Sequence, residues 1–367
     1  MHVHPSQLIQ GCIVVQDIMG QTRRPIIPKH TVINPLHIKI LHKFNVQSIE
    51  VGSKLSNGSP YFPKQQFKGH PKPHEAHSKD TTQTENVSFQ DHYLEVVTQY
   101  KQWFSLWQRG SSIDMTEIRN VFIPLLKRAM KTKRDVFLLH HYSTATDYSE
   151  HHCVALGLIS GFLAAKLGYT QGEWIQVGLA GLFSDCGMTR IEETILNKNV
   201  ALSQQEYEEV KKHPTYSYRL VENIPSLNNQ AKLAILQHHE RLDGSGYPLG
   251  LKQDKIHLFS QIIAVSDMYH AMTSERVYRK KQSPFRVLEA VLKEQFGRYD
   301  HQVIQAFVKE LTNYSTGTRV RLTNNQLAEI IFVEPSNPTR PMIRFQENGE
   351  IIHLKDTTDI HIEEIFD

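Results

Sequence analysis

Two adjacent histidines, His238 and His239, followed by Glu240 and by the run Arg241-Leu-Asp-Gly-Ser-Gly-Tyr-Pro248, hold the densest chemistry in the sequence. Imidazole is the commonest side-chain ligand for transition metals. Neighbouring residues of a helix do not share a face, so the two rings can reach one ion only where a helix is ending. Asp243-Gly-Ser-Gly246 supplies such an ending, and a metal site beside a turn of fixed composition is the expectation. Further donors stand elsewhere in the chain. His152 heads the helix Cys153 to Leu167, Asp185 falls near the end of the apolar run Trp174 to Ser184, His213 lies between two lysines and Pro214, and Asp267 sits inside the apolar run Ile262 to Met272. A carboxylate buried in such surroundings is costly without a metal or a basic partner. Glu240 either orients an imidazole N–H or forms a surface ion pair. Cys186, beside Asp185, reads as a packed thiol, with ligation of a soft ion as its alternative.

These donors fall in a segment whose pattern is helical. Thr170-Gln-Gly-Glu173 and Ser203-Gln-Gln-Glu206 have capping-box spacing, and Ser283-Pro284 places an N-cap before a proline at the first helical position. The helical domain is expected over residues 91–313. Residues 1–62 carry short β-branched runs, Gly11 to Gln16 and Gln47 to Val51, with a short amphipathic helix near His37 to Phe44, and read as a small β-rich module. Residues 63–90 are polar and read as a flexible linker, in which His70, His74 and His77 are solvated. Four alternating runs, Thr318 to Leu322, Ala328 to Val333, Met342 to Phe345 and Ile351 to Leu354, predict a small β-barrel-like domain over residues 314–367. The fold class is thus mainly α, with a β module at each end.

Composition narrows the function classes. A formal charge of +3 on 367 residues gives no electrostatic case for binding a nucleic-acid polymer. No apolar run is long enough to cross a membrane and the N-terminus lacks a signal pattern, so a soluble, cytoplasmic chain is expected. Cys12, Cys153 and Cys186 stand far apart, which argues against a disulfide framework or a zinc knuckle.

Taken together, His152, the stretch Asp185-Cys-Gly187, Leu196-Asn-Lys198, Lys212-His-Pro214, Gln237 to Pro248, Ala264 to Ser274 and Arg276-Val-Tyr-Arg-Lys280 resemble the HD-GYP family in order and spacing, over about Asp147 to Phe307. That resemblance implies an all-helical HD bundle and a metal-dependent phosphodiesterase that opens the bacterial second messenger cyclic di-GMP. It implies that His152, Asp185 and Asp267 hold one divalent transition metal (iron, manganese, zinc or nickel) and that the bridging Asp185, with His213, His238 and His239, holds a second. It also implies that Asp185 is catalytic, that Arg276 and Arg279 hold the phosphates, and that Gly246 and Tyr247 lie against a guanine. Turns of this kind are associated in the family with docking to diguanylate cyclase domains.

The chain departs from the family at the residues that name it. Where His-Asp-x-Gly-Lys is expected, it reads Ser184-Asp185-Cys186-Gly187-Met188. Ser184 is a poor substitute for imidazole and Met188 brings no cation to a phosphate. One metal site is therefore expected to be complete and the other weakened. Tyr148 stands one turn before His152, where members with a third metal carry a carboxylate, so no third metal is expected. A degenerate member that binds cyclic di-GMP with weak or absent hydrolysis is the favoured reading. An active phosphodiesterase and a non-catalytic interaction scaffold are the alternatives.

Overall fold

The computed structural model describes residues 1–20, 25–63, 87–198, 200–276, 281–294 and 297–366. The linker histidines His70, His74 and His77, and Arg279, lie outside the described residues.

The N-terminal module is built from β1 (His2–Val3), β2 (Cys12–Val14), β3 (Ile18–Met19), β4 (Pro25–Ile27), α1 (Pro35–Lys43) and β5 (Ile49–Leu55). Its main sheet has the order β1-β5-β2, and β3 pairs with β4, all antiparallel. Asn34 caps α1 through the His37 N–H, and Pro35 occupies the first turn, where its missing N–H costs nothing.

Twelve helices follow among the described residues: α2 (Phe89–Gln108), α3 (Met115–Ala129), α4 (Lys133–Phe137), α5 (Tyr148–Lys166), α6 (Gln171–Phe183), α7 (Glu193–Leu196), α8 (Gln204–Val210), α9 (His213–Val221), α10 (Asn229–Gln237), α11 (Leu258–Thr273), α12 (Pro284–Glu294) and α13 (His301–Leu311). The helix α2 begins at Phe89, inside the stretch read from sequence as linker, because Ser88 caps it by accepting from the Asp91 N–H. The capping signals at α6 and α8 are used: Thr170 N–H donates to Glu173 at 2.8 Å and Ser203 N–H to Glu206 at 2.6 Å.

Helix α5 is the axis of the bundle. Residues 151–164 are all buried, so it is apolar on every side and packs against α2, α3, α6 and α11. Its seam with α6 is lined by glycine: a Cβ on Gly157 would stand 2.8 Å from the Gly178 carbonyl oxygen, and one on Gly181 would stand 2.8 Å from that of Leu156. Backbone thus meets backbone, which brings the start of α5 beside the end of α6. Phe137 ties further helices together through edge-on contacts with Phe162, Tyr269 and Phe307 at 5.6, 6.0 and 5.6 Å.

The C-terminal module comprises β6 (Arg319–Leu322), β7 (Leu327–Phe332), β8 (Met342–Phe345), β9 (Ile351–His353) and β10 (Ile362–Phe366) in the order β10-β6-β7-β8-β9. Five antiparallel strands form one open sheet, so the barrel-like expectation is corrected: β9 and β10 are edges and do not pair with each other. A closed barrel requires that pairing. Arg340 fastens the sheet to α12 through the Glu289 carboxylate at 2.5 Å. No helix among the described residues is long and apolar enough to cross a membrane.

Candidate metal centre

Four donors converge between the ends of the helices. Asp185 follows the C-cap Ser184 of α6, His213 opens α9, and His238 is the C-cap of α10 with His239 directly after it. One ligand atom from each of Asp185, His213, His238 and His239 lies within 4.8 Å of all the others. The paired histidines do converge, because α10 stops at Gln237. Gly187 lets the Asp185 turn approach α9: a Cβ there would fall 2.2 Å from the His213 carbonyl oxygen and 2.3 Å from the Ser217 nitrogen. Ser217 locks that approach by accepting from Gly187 N–H at 2.7 Å and donating to the Ser184 carbonyl at 2.6 Å.

The hydrogen bonds fix which nitrogens face inward. His213 Nδ1 lies 2.7 Å from the Val210 carbonyl oxygen and His238 Nδ1 lies 2.8 Å from that of Ile235. A carbonyl can only accept, so both Nδ1 atoms carry the proton and both Nε2 atoms present lone pairs. Those two Nε2 atoms are 3.4 Å apart and stand 3.2 and 3.5 Å from Asp185 Oδ1. Three acceptors face one point with no proton among them, and a cation resolves that conflict. Mixed imidazole and carboxylate donors suit a divalent transition metal. Burial, followed by neighbouring His238, lowers His239 well below the usual imidazole value, so it too is a neutral donor.

The second position is differently furnished. His152 Nε2 lies 3.4 Å from Asp185 Oδ2 and 3.2 Å from Asp267 Oδ1, so the two Asp185 oxygens face the two positions separately. Asp267 Oδ2 is 3.6 Å from His239 Nδ1. Ser184 is fully buried and its hydroxyl donates back to the Ala180 carbonyl at 2.9 Å, turned onto its own helix. Met188, in the 3-10 turn Cys186–Arg190, is half-buried. Cys186 is fully buried with its thiol toward the Ser217 carbonyl, and burial pushes its pKa up to about 12, so it packs as a thiol.

The turn after the paired histidines lies against them. Tyr247 packs its ring 4.7 Å from that of His239 at 32°, and Lys211 Nζ sits 5.7 Å from the same tyrosine ring. Gly246 is pressed on the chain it follows: a Cβ would come within 2.4 Å of Glu240 Cα and 2.5 Å of the His239 carbonyl oxygen. Glycine is needed there for this close approach. Glu240 neither orients an imidazole nor pairs at the surface. It is fully buried and accepts from the N–H groups of Leu249 and Leu251 at 2.7 and 2.9 Å, closing the loop. Glu240→Gln keeps one acceptor and turns an amide donor on the other N–H. A loss of about 2 kcal/mol in urea unfolding is expected, the scale of a charge-assisted hydrogen bond. Stability equal to the parent chain's would show the loop is held otherwise.

Arg276 lies over the Tyr148 ring, with its guanidinium carbon 4.3 Å from the centroid, and donates to the Tyr148 hydroxyl. Its Nε is buried without a partner among the described residues. Two residues near the centre escaped the sequence reading. His270 is fully buried on α11, three residues after Asp267, with Nδ1 3.0 Å from His152 Nδ1. Ser217 lies four residues after His213. Helical spacing from an expected ligand was the available signal for both.

Residues 135–303 match the HD domain family. The chain is 31% identical over 222 residues to a cyclic di-GMP phosphodiesterase of Pseudomonas aeruginosa, covering 60% of this chain and 53% of that protein. It is 32% identical to a cyclic di-GMP phosphodiesterase of Thermotoga maritima, covering 52% and 57%. It is 33% identical to a 3'3'-cGAMP-specific phosphodiesterase of Vibrio cholerae, covering 46% and 39%. The alignments thus span about half the length of these relatives. Among solved structures, an HDG"Y"P protein from Bdellovibrio bacteriovorus aligns over 85% of this chain and 99% of its own, at 14% identity and a TM-score of 0.47.

Proposed function

We propose that the chain is a member of the HD-GYP family and that it binds cyclic di-GMP in bacterial second-messenger signalling at a one-metal centre, with hydrolysis weakened or lost. The relatives that are cyclic di-GMP phosphodiesterases support the ligand. The observation that carries the reading is the contrast between the two metal positions. Asp185, His213, His238 and His239 form a complete donor set, whereas Ser184 directs its hydroxyl to Ala180 and leaves the other position with His152, Asp185 and Asp267. A divalent cation held by the complete set supplies Lewis-acid polarisation of a phosphate oxygen, and the chemistry of two ions acting together is lost. The working compartment on this reading is the cytoplasm, where the messenger is made and read.

The surrounding residues divide the binding of a dinucleotide among themselves. Tyr247, tilted against His239, offers a ring for a guanine, with Gly246 fixing the turn behind it. Arg276 offers its Nε–H to a phosphate, and the family resemblance gives Arg279 a share in holding the phosphates. Calorimetric titration with cyclic di-GMP is expected to give saturable binding, accompanied by little linear dinucleotide or GMP in a product assay. Absence of binding at high micromolar concentration would reject the reading. Arg276→Ala is expected to weaken binding roughly 30-fold, or about 2 kcal/mol, the scale of a charged hydrogen bond, and to flatten its salt dependence. An unchanged dissociation constant would remove Arg276 from the phosphate contacts.

A further inference from the structure

Resting on that reading and going beyond it, we propose that Tyr148 closes the second metal position by locking His152 in the tautomer that carries its proton on Nε2, so that this imidazole donates to Asp185 and Asp267 and ligates nothing. The imidazoles of the centre differ in what faces their Nδ1 atoms. His213 and His238 face carbonyls, which only accept, and their Nε2 atoms are lone-pair ligands. His152 Nδ1 faces the Tyr148 hydroxyl at 2.9 Å, and a hydroxyl can donate.

Arg276 decides the direction of that hydrogen bond. A guanidinium has donors only, so Arg276 cannot take the Tyr148 proton; among the described residues within hydrogen-bond reach of that hydroxyl, His152 Nδ1 is the acceptor left for it, and a buried O–H without one is costly. His270 fits the same arrangement. Its Nδ1, 3.0 Å from His152 Nδ1, then carries the proton, while Ser274 Oγ stands 3.4 Å from that Nδ1 and 3.5 Å from Nε2 and does not select between them.

The consequence falls on the far side of the His152 ring. With the proton on Nε2, one N–H is shared by Asp267 Oδ1 at 3.2 Å and Asp185 Oδ2 at 3.4 Å. That proton stands where a second ion would have to bind. A lone pair in its place would face two anionic oxygens. The second position is therefore filled by a hydrogen bond, in keeping with the missing imidazole at Ser184. Tyr148 and His270 are positioning residues, and Arg276 couples them to the phosphate side of the site.

The test compares the wild-type chain with Tyr148→Phe. Zinc, which is diamagnetic, is titrated into both, bound metal is counted by elemental analysis, and imidazole nitrogens are read by 15N NMR with and without zinc. Wild-type protein is expected to hold one zinc and to show His152 protonated on Nε2. Tyr148→Phe removes the hydroxyl donor and frees His152 Nδ1 to donate to His270. The variant should bind a second zinc at least about tenfold more tightly than wild type, the scale of outer-shell effects on metal sites. Two tightly held zinc ions in the wild type, or a His152 proton on Nδ1, would overturn the proposal. A folded Tyr148→Phe chain with unchanged stoichiometry and tautomer would do the same. Should that variant not fold, the wild-type spectra decide alone. Failure to bind cyclic di-GMP would reject the messenger reading but leave the His152 spectrum intact, so the two failures are separable.

Discussion

His238→Ala is expected to strip the protein of its tightly bound transition metal, lowering affinity at least about a hundredfold, since even outer-shell partners of metal ligands carry 10- to 100-fold effects. His238 Nε2 is within 3.4 to 3.5 Å of both His213 Nε2 and Asp185 Oδ1, at the point where the donor set closes. Its Nδ1 bond to the Ile235 carbonyl holds the ring on that point with a lone pair inward. Alanine cannot reach, and three donors from a four-donor set remain. Elemental analysis after dialysis reads the outcome, and circular dichroism checks that the helices persist. Ser184→Ala is the matched control: its hydroxyl serves only Ala180, so metal content should match the wild type. Equal metal in His238→Ala and wild type would strike His238 from the ligand set.

The centre was legible where chemistry and local spacing coincide. Paired histidines at a helix end can serve one ion only by straddling that end, and they do so because α10 stops at Gln237. Capping boxes at Thr170 and Ser203 marked helix starts because their hydrogen bonds are local in sequence. Contacts made across the fold were less legible. Glu240, charged and between His239 and Arg241, reads as a group that orients an imidazole or pairs at the surface, yet it is buried on backbone N–H groups nine and eleven residues ahead. At Gly246 no local pattern announces how closely the turn presses on the Glu240 backbone, where an added Cβ would fall 2.4 Å from Glu240 Cα. The strand Ile362–Phe366 escaped notice because Glu364 interrupts its apolar face, and that glutamate is paired inside with Arg321 on the neighbouring strand. Whether a sheet closes depends on how its edge strands meet, which no local pattern encodes.

Restoring the family pattern tests the degeneracy argument most severely. Ser184→His together with Met188→Lys returns an imidazole next to Asp185 and a cation near the phosphate, and hydrolysis of cyclic di-GMP should rise by orders of magnitude. The cation alone is worth roughly 10²–10³ in rate, by analogy with one preorganised donor at a developing charge. Each single change is expected to do less than the pair, because a lysine cannot stand in for a missing ligand and an added ligand leaves phosphate charge uncompensated. The fully buried Ser184 has no exposed room, so the imidazole must take space from its neighbours, and part of the gain is spent there. Adding Tyr148→Phe should raise the rate further, since it releases His152 from its donor role beside Asp185 and Asp267. Linear dinucleotide and GMP, followed by chromatography, give the readout. Wild-type turnover equal to that of the double variant would mean that Asp185 and its three histidines suffice for hydrolysis, and the protein would then be an active phosphodiesterase.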